Sequence, residues 1–372
     1  MRKTIVIGLD GANWDLVAPW IENGDLPNLK YLMDNGCWSD SISQFPTVTC
    51  PNWKCYSTGK NPGKLGVFWW MRLDREKKKL IGYDSQSFKS LEIFDYISDA
   101  GFRVGVLNMP TTYPPKALNG FMVAGPPDSS LTGYTYPKSL EKDLKTNYNY
   151  SVYPSIHIAS REDIENYFEE ILNIMDLRFK VAKDLLDTVD FLHMSIFYIN
   201  VLHHFFYDEE PVKEGWKLID RNLGDFLEMD VNILLMSDHG THEIDTVFYV
   251  NSWLEKEGYL KLKKSYIRNL YKIGITKQRL VSVANKLKVT NLIKSVVPEK
   301  IIRSVPSEEG TLGGRVAILE DKIDWDKSKV LGAGQGTIFM ISDEKGKEYE
   351  RIRNEVIEKL GKLSTPNGRY VA

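Results

Sequence analysis

Ile5-Val6-Ile7-Gly8-Leu9-Asp10-Gly11 is a short apolar run that ends in a carboxylate followed by a glycine. An apolar run of this length closed by a turn reads as a buried strand. An acid delivered at the carboxyl end of such a strand lies where open α/β sheets place their sites. The same unit recurs along the chain. Residues 16–33, broken at 24–27, read as helical material returning over a sheet. A helix over 91–100 leads into a strand over 101–107 that stops at Asn108. A helix over 162–186 precedes a strand over 188–199, closed by the polar Asn200. A helix over 214–227 precedes a strand over 231–237, closed by Asp238-His239-Gly240. Strands ending in polar residues at Asp10, Asn200 and Asp238, with helices between them, predict a doubly wound α/β/α sandwich.

The remaining segments have other compositions. Residues 41–66 are dense in Pro, Thr, Asn and Gly, which predicts a loop and a helix entry rather than a core element. Residues 110–160 contain TTYPP and GPPDSS and read as loops over the sheet edge, a candidate lid. Residues 248–258 read as an extended entry and a short helix with Gly258 beyond its end. Segments 312–319 and 336–342 read as sheet-edge pieces, and 349–360 as a closing helix. The expected organisation is a catalytic α/β core over 1–260, a basic helical insert or cap over 261–308, and a return to the core sheet with a terminal helix over 309–372.

With 372 residues, 42% hydrophobic and 26% charged, the chain can bury one large core or two smaller ones, which excludes disorder and a small disulfide scaffold. The net charge of -2 conceals a segment: residues 261–303 hold twelve Lys or Arg against the single acid Glu299, so they carry +11 and the rest carries -13. Apolar residues such as Leu262, Ile267, Leu270 and Ile273 recur there at spacings compatible with amphipathic helices. Such a segment suits a solvated cap on the acidic remainder, an anionic membrane surface or a phosphorylated substrate. Aromatic platforms for RNA are sparse, so no nucleic acid is expected. Cys37, Cys50 and Cys55 are odd in number and lack CxxC spacing, which points to a reducing compartment. The first residues read as a strand rather than a signal segment, and no run of about 20 apolar residues occurs. The expected location is cytoplasmic, peripheral to the membrane at most.

Chemistry concentrates in two places. Asp238-His239 sets a carboxylate beside an imidazole, both ligands for a borderline divalent cation. Asn200 and His204, four apart, would share a helix face if the chain turns helical after its strand, and would then suit a second cation; otherwise His203 and His204 are surface or interface residues. In Phe45-Pro46-Thr47-Val48-Thr49-Cys50-Pro51-Asn52-Trp53, Thr49 sits just before a Pro-initiated helix, where backbone N–H groups face anionic oxygens. A hydroxyl so placed is a nucleophile candidate, though a Thr before a helix also serves as a plain cap. Ser57-Thr58-Gly59-Lys60 lacks the spacing of a nucleotide phosphate loop. Trp69, Trp70, Tyr113, Tyr134 and Tyr136 suit either a cleft wall or core packing.

In order, GLDGANWD, LPNLKYLMDNG, FPTVTCPNW, STGKNPGKLG, NMPTTYPP, INVLHHFF, SDHG and FYVNSWLEKEGYL run from residue 5 to about 260. This set resembles the alkaline phosphatase superfamily, most closely its type I phosphodiesterase and nucleotide pyrophosphatase branch. The resemblance implies a three-layer α/β/α sandwich with a central mixed sheet and a helical cap. It implies two divalent cations, zinc first, with manganese or magnesium as alternatives. One is held by Asp10, Thr49, Asp238 and His239. The other falls on Asn200 and His204 plus a later His. The family has Asp where this chain has Asn200. No His follows His242 in these 372 residues, so His242 or Gln335 is the stand-in. The family's phosphoryl-holding Asn falls near Trp70, leaving Asn52 and the backbone around Cys50 to compensate. The implied activity is hydrolysis of a phosphodiester or nucleotide pyrophosphate through a phosphothreonine on Thr49. The alternatives are a phosphomutase or phosphomonoesterase on the same fold, or a degenerate phosphate-ligand binding protein.

Overall fold

The computed structural model describes residues 2–156, 161–263, 322–342, 345–365 and 367–369. The chain forms two compact units, Met1–Arg72 with Gly82–Asp245, and Leu73–Ile81 with Thr246–Ala372. The sequence places the end of the core at 260. The first unit ends at Asp245.

The first unit is built on strands β1 (Lys3–Leu9), β4 (Val104–Met109), β5 (Gly120–Ala124), β6 (Thr135–Tyr136), β7 (Phe191–Ile196) and β8 (Val231–Met236), while β2 (Met71–Asp74) and β3 (Lys79–Gly82) pair only with each other and α2 (Pro27–Asn35) and α4 (Pro62–Leu65) are short helices. Their order across the sheet is β6-β5-β4-β7-β1-β8, parallel except where β6 runs against β5. The sheet is therefore mixed, and helices cover both faces. On one face Ile5, Ile7, Leu9, Leu192, Met194 and Ile196 join the main core. Helices α1 (Trp14–Glu22), α7 (Arg161–Leu186), α8 (Phe197–Phe206) and α9 (Glu210–Leu227) contribute to that core. On the other face Val104, Val106 and Met122 pack with Trp53 of α3 (Thr49–Thr58) and Phe94 of α5 (Ile93–Asp99). Alternate residues of each strand point to opposite faces. This is the three-layer α/β/α sandwich.

Several elements differ from expectation for identifiable reasons. The strand expected over 188–199 stops at Ile196, and α8 begins at once. The run FLHMSIFYI holds no Gly, Pro, Asn or Asp to mark a break. Only the burial of Tyr198, Ile199, Leu202 and His203, at helical spacing, separates the two elements. Helix α9 begins at Glu210 with Pro211 in its first turn, ahead of the expected 214. Residues 41–66 include α3, which is core after all: eight of its ten residues are buried. Its turn-like composition misleads because its polar residues are paired internally. Lys54, 1% exposed, donates to Glu92 Oε1 at 2.9 Å. Lys54 and Lys116 together hold the Glu92 carboxyl down to about 2 against the desolvation that would raise it. The turn-rich span 110–160 supplies β5, β6 and α6 (Ser139–Tyr148), and sends Tyr134, Leu144, Tyr150 and Val152 into the main core.

The second unit contains α10 (Val250–Lys256), the antiparallel pair β9 (Val330–Gly332) and β10 (Ile338–Met340), and the closing helix α11 (Lys347–Gly361). Asn251 on α10 exchanges two 2.8 Å hydrogen bonds with the Gly332 backbone. Tyr259 Oη donates to Glu355 Oε1 on α11 at 2.5 Å. The expected sheet-edge piece 312–319 and nearly all of the basic segment lie outside the described residues.

Candidate active site

Sheet register assembles the site. Gly8 on β1 pairs with Met236 on β8, so two residues further on Asp10 and Asp238 leave neighbouring strand ends together. Gly11 turns the chain with φ 71°. A Cβ there would meet Asn200 Oδ1 at 2.6 Å and Thr241 Oγ1 at 2.7 Å, so only glycine fits. The turn is tied across to β8's end. Gly11 N donates to Asp238 Oδ1 at 3.3 Å, Ala12 N to Ser237 Oγ at 3.0 Å, and Thr241 Oγ1 to Gly11 O at 2.7 Å.

Thr49 enters from the opposite layer as the first residue of α3. Its Oγ1 lies 3.0 Å from His239 Nε2 and 3.5 Å from Asp10 Oδ1. His239 Nε2 is in turn 3.6 Å from Asp10 Oδ1 and 3.5 Å from Asp238 Oδ2. His239 Nδ1 is 2.8 Å from Gly240 O. That contact assigns the ring proton to Nδ1 and leaves the Nε2 lone pair facing the cluster. Trp53 Nε1 donates to Asp10 Oδ2 at 2.8 Å, one helical turn beyond Thr49.

Two carboxylates buried side by side are electrostatically costly. Burial raises the Asp10 carboxyl to about 6, with His239, Trp53, Thr49 and Asn200 opposing. Burial, then the neighbouring Asp10, raises Asp238 well above the usual carboxylate range. Asp238 Oδ2 is buried without a hydrogen-bond partner. One donor atom from each of Asp10, Asp238 and His239 lies within 4.8 Å of the other two. Two oxygens and a nitrogen around an orphaned carboxylate oxygen fit one divalent cation, which would neutralise the charge that burial penalises. Among the described residues this is the one group of three or more His, Cys, Asp or Glu so placed.

The other residues singled out in the sequence stand differently. Asn200 is buried in the first turn of α8 beside Gly11, and its amide acts on the Asp10 carboxylate. His204 is exposed one turn along α8. His203 belongs to the core, accepting from Trp216 Nε1 at 3.1 Å. His242 is exposed, its Nδ1 3.2 Å from Glu243 O and its ring 6.3 Å from that of Tyr207. Neither His204 nor His242 joins the Asp10 cluster. Gln335 lies in the second unit. Asn52 has its amide committed to backbone. Nδ2 donates to Pro46 O at 2.8 Å and to Val48 O at 3.0 Å, while Oδ1 accepts from Gln44 N at 2.9 Å. It clips the loop before Thr49 rather than presenting a free amide. Of the aromatic residues, Trp69 and Tyr134 are core. Sequence reasoning missed Trp53, Ser237 and Thr241. The only available signal was Trp53's position four residues after Thr49, on the same helix face.

The family model for type I phosphodiesterase / nucleotide pyrophosphatase matches residues 4–324. No curated protein matches. Among solved structures, phosphonoacetate hydrolase from Sinorhizobium meliloti 1021, in complex with phosphonoformate, is similar at TM-score 0.52 and 18% identity; the match covers 71% of this chain. The chain spans 66% of that enzyme's length. The alkaline phosphatase PafA is similar at TM-score 0.50 and 15% identity, over 70% of each chain. At such identities the likeness is one of fold. The family match over most of the chain, on a mixed-sheet sandwich with a buried Asp-Asp-His cluster, places this protein in the type I phosphodiesterase / nucleotide pyrophosphatase family.

Proposed function

We propose that the protein is a metal-dependent hydrolase of phosphodiester or nucleotide pyrophosphate bonds in which Thr49 is the nucleophile. The observation that carries this reading is Thr49 Oγ1, 3.0 Å from His239 Nε2 and beside the Asp10 and Asp238 carboxylates, at the N-terminus of α3. Asp10, Asp238 and His239 would hold a divalent cation, whose chemistry there is to lower the pKa of the Thr49 hydroxyl and to balance charge on phosphoryl oxygens. The chain's own groups do the rest. Trp53 orients Asp10, the Gly240 carbonyl orients His239, and Asn52 fixes the loop that sets Thr49. The first backbone N–H groups of α3 face the anionic oxygens of a bound ester. Thr49 Oγ1 forms a bond to phosphorus as the bond to the leaving alcohol or nucleotide breaks, and the hydroxyl proton leaves with it. Water then attacks phosphorus and frees Thr49, regenerating its hydroxyl.

The fuller form of this reading has two zinc ions, or manganese or magnesium, with Asn200, His204 and His242 as donors for the second. Neutral Asn200 is the observation that favours a second reading, a phosphate-ligand binding protein with little turnover. The +11 charge over residues 261–303 supports an anionic partner, a phosphorylated substrate or an anionic bilayer surface at a cytoplasmic location. Among the described residues no helix is long and apolar enough to cross a membrane.

Metal analysis combined with aryl phosphodiester and phosphomonoester hydrolysis tests the proposal. Turnover is expected with Zn or Mn, to vanish on chelation, and to fall at least about 100-fold in Asp238→Asn together with the bound metal. Metal binding without turnover on any reporter would favour the binding protein. No metal in the wild type would overturn both readings.

A further inference from the structure

The stretches of chain that carry the site residues also carry apolar side chains turned to solvent. Phe45 precedes Thr49 by four residues and is 88% exposed. Its two neighbours are tied to the first turn of α3. Gln44 N donates to Asn52 Oδ1 at 2.9 Å, and Pro46 O accepts from Asn52 Nδ2 at 2.8 Å. On the same loop Ile42 is 92% exposed and Trp38 58% exposed. The Trp38 ring lies 5.3 Å from that of Trp14, which follows Asp10 by four residues. Next to Trp14, Asn13 donates to the Thr241 carbonyl in the turn after His239. Ile244, three residues further on, is 80% exposed.

Exposed apolar side chains are ordinary singly, but a set gathered on the loops of one site marks a binding surface. Charge narrows what it binds. Residues 10–15, 37–48 and 239–245 contain no Lys or Arg, and beyond Asp10 they add Asp15, Asp40, Glu243 and Asp245. A second phosphate, as in a nucleotide pyrophosphate, would meet carboxylates on these loops and no cationic side chain. An uncharged apolar group meets no such repulsion, and its contact with Phe45 and Ile42 removes apolar surface from water on both sides.

We propose that Trp38, Ile42, Phe45 and Ile244 seat the apolar arm of an amphiphilic phosphodiester, a long alkyl or acyl chain on the ester whose phosphorus Thr49 attacks. The assignment rests on the hydrolase reading of the same site and selects, within it, a single phosphodiester over a pyrophosphate.

The test is isothermal titration of the metal-loaded full chain with methyl-, butyl- and octylphosphonate, each below its critical micelle concentration. Wild type is expected to bind octylphosphonate at least about 10-fold more tightly than methylphosphonate, with butylphosphonate between them, because each buried methylene adds affinity. The double variant Ile42→Ser/Phe45→Ser is expected to lower that octyl-to-methyl ratio by at least about 3-fold. Both side chains stand in solvent, so the core is untouched, and the methyl compound is the internal reference for the phosphoryl site. A wild-type ratio below about 10 would overturn the proposal, and with adsorption to phosphatidylcholine vesicles it would assign the rim to a bilayer instead. A ratio undiminished in the double variant would overturn it as well. The hydrolase reading fails by a different result: no turnover of aryl phosphodiesters while octylphosphonate still binds more tightly than methylphosphonate.

Discussion

At the residue scale the site is a set of groups whose costs cancel only together. Asp10 and Asp238 are each driven up by burial, and Asp238 further by Asp10. A carboxyl whose folded pKa is raised contributes stability that is present below the unfolded value and is lost as pH rises through the folded one. For Asp10 that window runs from the ordinary carboxyl value of 3.8 to about 6. The metal-free protein should therefore lose stability from Asp10 as pH rises through that range, and Asp238, also raised, adds a loss of the same sign. Cation binding has the opposite dependence, because it needs both carboxylates unprotonated. The gap in Tm between metal-loaded and chelated protein is expected to be small at pH 5 and to widen toward pH 7.5, with affinity rising about tenfold per pH unit for each proton displaced. Differential scanning fluorimetry with and without Zn or Mn measures it, and a gap that shrinks with rising pH would contradict the ligand assignment.

At the element scale, the contact that aligns nucleophile with ligands is α3 against β1. Trp53 packs against the strand where Gly8 leaves room. A Cβ at Gly8 would come within 2.3 Å of the Trp53 ring. Gly8→Ala is expected to cost about 1–3 kcal/mol by overpacking and to weaken metal binding about 10-fold or more, because the displaced indole no longer holds Asp10. Chemical denaturation and metal titration read the two effects separately. Destabilisation with unchanged metal affinity would detach Trp53 from the site. This contact also shows what the sequence could and could not reveal. The βα alternation and the acids after β1 and β8 were legible because strand ends deliver chemistry by simple periodicity. The burial of α3 was not, because Lys54, Ser57 and Asn52 look like loop residues until Glu92 and the loop carbonyls that satisfy them are in place. The end of β7 was illegible for the opposite reason: no turn residue separates strand from helix there.

At the scale of the whole molecule, the net charge of -2 separates into an acidic remainder, which includes the metal cluster, and a strongly basic segment. Asp10, Thr49, Asp238 and His239 come from three separate stretches of chain, and the resemblance to a known family named all four before the fold brought them together. The partners around them, Trp53, Ser237 and Thr241, had no such marker, since an indole or a hydroxyl in sequence carries no sign of what it will touch. Whether those four residues work as a catalytic centre depends above all on Thr49. The most direct measurement compares hydrolysis of an aryl phosphodiester by wild type, Thr49→Ser and Thr49→Ala, each loaded with the same metal and checked for equal metal content. Thr49→Ser is expected to retain turnover within about 100-fold, and Thr49→Ala to fall by about 1,000-fold or more. Thr49→Ala hydrolysing the ester at the wild-type rate, with metal bound, would contradict the assignment of Thr49 as nucleophile.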